Sequence, residues 1–513
     1  MKTDKQEKAR QPSVSAYRAR IRYSGLEIFL LAALTLLLFW AQMTIADMLR
    51  YAPLWDAGEV FNGAASLSLD EGLHRSYYFA TFPNNVGLTL FLSWMYKLYA
   101  LVSGKPIDFF MAYSGTLAVI VEFGVLMLYD TIKRYLNKKT AIIMLVVLLL
   151  YLPTYLLPSV LYTDVASMSA QIAGLNMFIR LRERKRSVWS RLLISMFMGI
   201  FIGIGASFKV TAGIIFIAIF LMAWIPRRRK KKTSKLKFGF GLYGYLMLSA
   251  IIILLLVMAP RWISEKNYIT AEQKERYEIP IIHWIMMGLN EKDLERMKWV
   301  GTEVSEDYGI VKEIETMEER KQYAMDEIIR RIEEKTPEDF VRLYMKKMRV
   351  LYGRVDMAPG ALIPFSGVED DQGNPELRAF LDEFRWTTPY LVWNGVIFYG
   401  CLALAILSIF CRKRSGLALL AFLGFNVFFL VWEVNSRQII NFFFILVFMA
   451  SICVYSMTKR RAKRKKGAFT GMPSFVSFEP DVVQVGDGSD LEQADGQGGT
   501  VRRKPVSAYP KIP

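Results

Sequence analysis

The apolar residues of this chain come in unbroken runs of about 20, the length a helix needs to cross a bilayer. Ten strong runs fall at about 26–46, 109–129, 141–159, 165–179, 192–208, 210–225, 238–260, 389–411, 416–433 and 438–457. In hydrocarbon every backbone polar group must be satisfied internally, so such runs predict helices and exclude a soluble multidomain fold. The composition, 53% hydrophobic and 14% aromatic, also excludes disorder, collagen and a disulfide scaffold. Cys401, Cys411 and Cys453 lie in or beside the runs, and no ligand-spaced Cys/His cluster accompanies them.

The chain carries 65 Lys+Arg against 47 Asp+Glu, a net charge of +18. A basic balance of this size can mean nucleic acid, so the placement of the charge decides. Six clusters, at 1–25, 131–140, 180–191, 226–237, 412–414 and 459–466, hold 35 of the basic residues and only three acids, Asp4, Glu7 and Glu183. No zinc-finger spacing or RNA-binding signature goes with them, so no nucleic-acid partner is expected. The pattern is what the positive-inside rule demands if all six clusters face the cytosol. Ten crossings that start inside satisfy it, with both termini cytosolic. The stretch 84–103 would break the alternation. With Lys97 in its body and Trp94, Tyr96 and Tyr99 along it, it reads as an interfacial amphipathic helix, the alternative being a true span with Lys97 snorkelling. The first run has no convincing cleavage site and is expected to stay as an uncleaved anchor in the cell membrane.

The organisation expected is therefore a basic cytosolic N-terminus (1–25), a transmembrane module (26–260) with a long outward loop at 47–108, and an outward segment at 261–388. Membrane helices at 389–457 and a basic, disordered cytosolic tail at 458–513 complete it. The segment 261–388 carries 20 basic and 27 acidic residues and reads as amphipathic helices, with Thr336-Pro337 as a helix start. Glu122 is expected to face the bundle interior.

The first loop concentrates chemistry-bearing side chains. Asp56 and Glu59 are followed by His74, Arg75 and Tyr78, then by Asn84 and Asn85. Acids, amides and aromatics in one loop suit a sugar, whose ring stacks on aromatic faces and whose hydroxyls take hydrogen bonds. Asp56 and Glu59, three apart, also fit a helix-capping pattern. Asp164 follows the third run and also fits a helix N-cap. Lys209 stands at the turn between the fifth and sixth runs, and ionisable groups at membrane depth are functional candidates by default. Arg437 follows Glu433 by four residues, a spacing that also suits an ion pair within one helix. His74 and His283 are the only histidines, and both fall in the outward segments.

On these residues the chain resembles the GT-C superfamily of polytopic glycosyltransferases, and within it bacterial relatives of the protein O-mannosyltransferase family. Asp56 matches the first-loop acid of that plan. Pro83 to Gly87 matches the proline stretch before its juxtamembrane helix, and Tyr162-Thr163-Asp164 its second outward acid. Trp432 to Arg437 is similar to a late Glu…Arg element, and His283 to Leu289 to a block of Gram-positive members. The resemblance spans about residues 20–460. It departs at the Asp-Glu doublet, where Ala57 and Gly58 separate Asp56 from Glu59, at a single Pro83, and at Gln438.

The resemblance implies an all-α GT-C-like bundle of about ten transmembrane helices with a long first outward loop and a mainly helical outward insert. It also implies a polyprenyl-phosphate sugar donor and an outward acceptor, which could be a glycan, wall polymer, lipid or protein. Asp56 and Asp164 would then be the catalytic acids. Glu59, His74, Arg75, Tyr78, Asn84, Asn85, Lys209, His283, Glu433 and Arg437 would bind substrate. No cofactor is assigned; Asp56 and Asp164 are hard oxygen ligands that a divalent cation could use. The competing readings are a transporter or flippase for a lipid-linked glycan and a non-catalytic scaffold. Transporters place their charges near the bilayer midplane, whereas here they gather toward the outward ends of the runs.

Overall fold

The computed structural model describes residues 23–50, 53, 55–160, 162–183, 186–224, 239–291, 306–357, 374–384, 387–411 and 416–469. Every regular element among the described residues is helical. By internal contacts the chain divides into residues 1–460, described below, and 461–513, where only the end of the last helix is described. The basic stretches 226–237 and 412–414, most of the N-terminal cluster and most of the tail expected to be disordered lie outside the described residues.

Seven helices are long and apolar enough to cross a membrane, or eight if one bent pair counts as a span. Six of the ten expected spans are among the seven: Gly25–Leu49, Phe109–Tyr135, Val188–Phe208, Gly241–Asn267, Thr388–Ser408 and Ser436–Lys459. The expected span 141–159 is the bent pair, Lys138–Leu149 and Pro153–Ser159, which meet at 69°. The break falls where Pro153 cannot continue a helical hydrogen-bond ladder. Two more expected spans are short apolar helices, Val210–Trp224 and Gly416–Val431. The tenth, Thr163–Leu181, is long enough but polar, because Asp164, Ser167, Ser169, Gln171 and Asn176 are all buried inside the bundle. The stretch expected to lie in the interface forms a Pro83–Ser103 segment that meets the length and apolarity of a span, with the lowest mean hydropathy of the seven, 1.3. Its Lys97 pairs with Asp70 at 2.5 Å.

The layers follow from what each helix shows its neighbours. Ile439–Cys453 is apolar nearly all round, as a central helix must be. Ile439, Phe442, Ile445, Leu446 and Met449 have no exposed surface, and Phe442 stacks on Phe425 at 4.4 Å. Thr163–Leu181 packs between Phe109–Tyr135 and Val188–Phe208, and the latter packs on Gly239–Asn267. Gly25–Leu49 keeps Leu26, Phe29, Leu36 and Trp40 exposed, the face such a helix presents to lipid. Lipid tails are as apolar as leucine, so close packing and internal polar bonds must hold the bundle.

One end is tied by ions. Glu27 accepts from Tyr129 at 2.8 Å and pairs with Lys133 at 2.6 Å and Lys138 at 3.0 Å. Asp130 takes Arg134 and Arg180, each at 2.6 Å. Glu183, one of the few acids inside the basic clusters, holds Arg134 at 2.7 Å. Breaking one partner of such a buried network costs about 3–5 kcal/mol. Glu122 is buried, as expected.

Between the membrane helices, the described residues of 261–388 form a layer of helices with its own core of Met286, Val311, Ala324, Ile328 and Leu343. Thr336 caps Pro337–Tyr352 in a capping box with Asp339, the start that the sequence predicts. Lys347 of this helix is fully buried and donates to the carbonyls of Leu430 and Trp432, both at 2.9 Å. Burial pushes its ammonium down to about 8, against the pull of Glu433. The layer is thus pinned to the end of Gly416–Val431, where Glu433 emerges.

Candidate active site

Asp56 opens the helix Trp55–Ser68, and the residue before it is strained. Trp55 has φ of 53°, a left-handed conformation that costs a bulky residue about 1–2 kcal/mol. The carboxylate does not cap a helix. Its Oδ1 accepts a 2.7 Å hydrogen bond from the Tyr78 hydroxyl, which in turn accepts from the Asn85 amide at 2.6 Å. Asn84 donates to Asn85 at 3.0 Å, so the proline stretch feeds the same chain. Burial and the neighbouring Asp56 charge raise the Tyr78 pKa well above that of a free phenol, which keeps its proton on the donor side. Glu59, one turn further, takes Arg75 at 2.7 Å. Four of the first-loop candidates therefore act as two pairs that fix Ser76–Thr81 against Trp55–Ser68.

The second centre is Asp164, which has no exposed side-chain surface. Tyr162 is the N-cap of its helix, so Asp164 is free of capping and turns toward two cations. Lys209 reaches it at 3.3 Å from the end of Val188–Phe208, and Arg437 at 3.4 Å from the turn before the last helix. Arg437 is thereby paired across the bundle and not with Glu433. Its guanidinium also lies 4.2 Å from the centre of the Tyr162 ring. Strong N–H···O contacts between ions run about 2.7–2.9 Å. Both contacts here are longer, and each cation keeps part of its side chain exposed, 19% for Lys209 and 16% for Arg437. Two loosely held cations beside one carboxylate can turn to an incoming phosphate without first breaking a tight pair.

The two centres share one field: Asp56, Asp164 and Glu433 all act on Arg437, and Lys209 and Arg437 both act on Glu433. Close packing brings their elements together. A Cβ on Gly87 would stand 2.5 Å from the Ser207 carbonyl, just before Lys209, and one on Gly288 would stand 2.3 Å from the Val431 carbonyl, just before Glu433. Only glycine permits either approach.

The histidines lie elsewhere. His74 is exposed in a turn, with no described hydrogen bond or ion pair to Asp56 or Asp164. His283 is fully buried against Trp284 and Tyr308, and neither ring nitrogen has a hydrogen-bond partner. Burial holds its pKa down to about 4.

Sequence reasoning missed the polar ladder beneath Asp164. Gln171 and Thr211 donate to Asn441 at 2.6 and 3.1 Å, and Asn441 bonds Ser167. The signal was present: 164, 167 and 171 share one helix face, and Asn441 interrupts an apolar run. Lys347 had no such signal, and Tyr162 entered only as a neighbour of Asp164 in its motif. Among the described residues no three His, Cys, Asp or Glu side chains group as metal ligands. Asp164, already facing two cations, is a poor ligand for a third, so the donor set does not fit a divalent ion.

The family model that matches this chain covers residues 13–360 and is described as conserved hypothetical integral membrane protein. No curated protein matches the chain by sequence. Among solved structures it is similar to ArnT from Cupriavidus metallidurans bound to undecaprenyl phosphate, at 10% identity and a TM-score of 0.36 over 88% of this chain and 82% of that one. It is also similar to the archaeal oligosaccharyltransferase AglB from Archaeoglobus fulgidus in complex with an inhibitory peptide and a dolichol-phosphate, at 12% identity and a TM-score of 0.41. That match covers 89% of this chain and 53% of the archaeal protein, so the chain spans about half its length.

Proposed function

This chain belongs to the family of conserved hypothetical integral membrane proteins, and we propose that it is a glycosyltransferase. It moves one sugar from a polyprenyl-phosphate donor to an acceptor on the outer face of the cell membrane, in the glycosylation of an envelope or wall polymer. The observation that carries this reading is the convergence of Lys209 and Arg437, 228 positions apart in the sequence, on buried Asp164, in one field with Asp56.

The chemistry divides between the two centres. Asp56 takes the proton of the acceptor hydroxyl as its oxygen attacks the anomeric carbon, general-base catalysis worth about 10²–10⁴ in rate. Tyr78 and Asn85 hold that carboxylate in place. The bond from the anomeric carbon to the phosphate oxygen breaks, and its electron pair leaves with the polyprenyl phosphate. Lys209 and Arg437 meet the charge that develops there, the preorganised electrostatic contribution. Asp164 keeps the two cations apart and aimed before the donor arrives. Pro337–Tyr352, pinned by Lys347 to the carbonyls of Leu430 and Trp432 beside Glu433, limits the access of water, the competing acceptor.

The test is purified protein in lipid with a labelled polyprenyl-phosphate sugar and envelope polymers as acceptors. Transfer predicts free polyprenyl phosphate together with a glycosylated product. Donor recovered intact on the opposite side of the membrane would replace this reading with transport.

A further inference from the structure

A cavity of about 220 Å³ lies between the helices Ser76–Thr81, Ala271–Tyr277 and Glu306–Glu313. It is separate from the Asp164 centre but meets Asp56 through one side chain, because Tyr78 forms part of its wall and donates to that carboxylate. Drug-sized ligand sites run to about 300–1,000 Å³, so this one has room for a single sugar ring with a small substituent.

Its lining is aromatic and cationic. Tyr77 and Tyr277 stand 5.7 Å apart, and Phe82 stacks on Tyr308 at 5.9 Å. Arg276, Lys312 and Arg320 line it as well, and no acid does among the described lining residues. Arg276 and Lys312 are exposed and form no described ion pair with a carboxylate. Arg320 is 2% exposed, and all of its described hydrogen bonds go to backbone carbonyls. They include Ile314 at 2.8 Å, Glu275 at 2.9 Å and Glu315 at 3.0 Å. These carbonyls take all five of its N–H donors, and Glu275 is the one carboxylate described as acting on its charge. Carbonyl ligation also fixes the two turns that carry Arg276 and Lys312. Aromatic faces suit a sugar ring, but a neutral sugar has no use for two exposed cations, Arg276 and Lys312, that form no described pair with a carboxylate.

We propose that this cavity is the acceptor subsite and that it takes a sugar carrying an anionic substituent, phosphate or carboxylate. Tyr77, Tyr277 and Tyr308 offer ring faces, Arg276 and Lys312 hold the anion, Arg320 fixes the turns that carry them, and Tyr78 sets the hydroxyl beside Asp56. The inference rests on the reading of Asp56 as the base of a transfer reaction.

Ligand-observed NMR on the full-length protein in nanodiscs tests it with glucose 6-phosphate, glucuronate, methyl glucoside and inorganic phosphate. The charged sugars are expected to bind at least about tenfold more tightly than methyl glucoside at low salt, with the preference falling as salt rises. Which of the two binds more tightly identifies the anion as phosphate or carboxylate. The double variant Arg276→Gln, Lys312→Gln should lose the preference, while Tyr277→Ala weakens all three sugars. Undecaprenyl phosphate, bound at the other centre, should bind the double variant as it binds the wild type. Equal binding of methyl glucoside, inorganic phosphate binding as tightly as glucose 6-phosphate, or a preference that survives in the double variant would each overturn the proposal. If the preference holds but neither protein binds undecaprenyl phosphate, the subsite stands as an anionic-sugar site and the transfer reading fails.

Discussion

His283 gives the sharpest pH prediction, because its burial can be converted into a number. The ring is fully buried, both nitrogens lack partners, and its pKa falls from an ordinary 6.5 to about 4. Burial drives the shift; the nearby Asp307 pulls the pKa up and Arg331 pushes it down. Above pH 6.5 the ring is neutral whether the 261–388 layer is closed or locally opened, and ionisation favours neither state. As pH falls from 6.5 toward 4, the opened state binds a proton that the closed state refuses, so stability is lost through that window. Below 4 both states are protonated and the loss levels off at about 3 kcal/mol. At pH 5 the opening equilibrium of this layer should already have risen about 30-fold, or ~2 kcal/mol. Hydrogen exchange of the amides in Ile282–Gly288, corrected for intrinsic rates and compared at pH 7 and pH 5, measures it. His283→Phe keeps the ring shape, removes the titrating group and should flatten the dependence. The same pH dependence in wild type and variant would refute the assignment of His283 as a buried neutral ring.

Three further outcomes follow from the same contacts. Asp164→Asn removes the counter-ion of Lys209 and Arg437 and should cost about 2 kcal/mol, a buried-pair value discounted for the partial exposure of both cations; thermal unfolding in detergent reads it, and transfer should fall with it. Gly288→Ala drives a Cβ to 2.3 Å from the Val431 carbonyl, an overpacking cost of about 1–3 kcal/mol, and should lower transfer more than donor binding because it displaces the Glu433 turn. Lys347→Met leaves the Leu430 and Trp432 carbonyls without their described donor, a loss of about 1–3 kcal/mol visible as faster exchange in Pro337–Tyr352.

Much of the architecture was legible because bilayer physics acts on short stretches of sequence. Run length and basic clusters located the helices, and a proline located the 69° bend only once the structure was in hand. Thr163–Leu181 has the length of a span and fails on polarity, because its polar face turns to the ladder around Asn441 and never meets lipid. In the first loop, Tyr78 with Asp56 and Arg75 with Glu59 lie close enough in sequence for local reasoning to bring them together. The partners of Asp164 come from residues 209 and 437, and sequence alone offers no distance between them. Fixing Arg320 among backbone carbonyls was equally out of reach, since carbonyls leave no trace in side-chain pattern.

The central claim is that Asp56 is the base of a sugar transfer, and one measurement addresses it directly. Wild type and Asp56→Asn are purified in the same lipid and given the same labelled polyprenyl-phosphate sugar and acceptor under single-turnover conditions. Asparagine keeps the shape and can still accept from Tyr78, so folding and donor binding should be unchanged. The rate of product formation should fall by about 10²–10⁴, the range of general-base assistance. Product formed by Asp56→Asn at the wild-type rate would contradict the account.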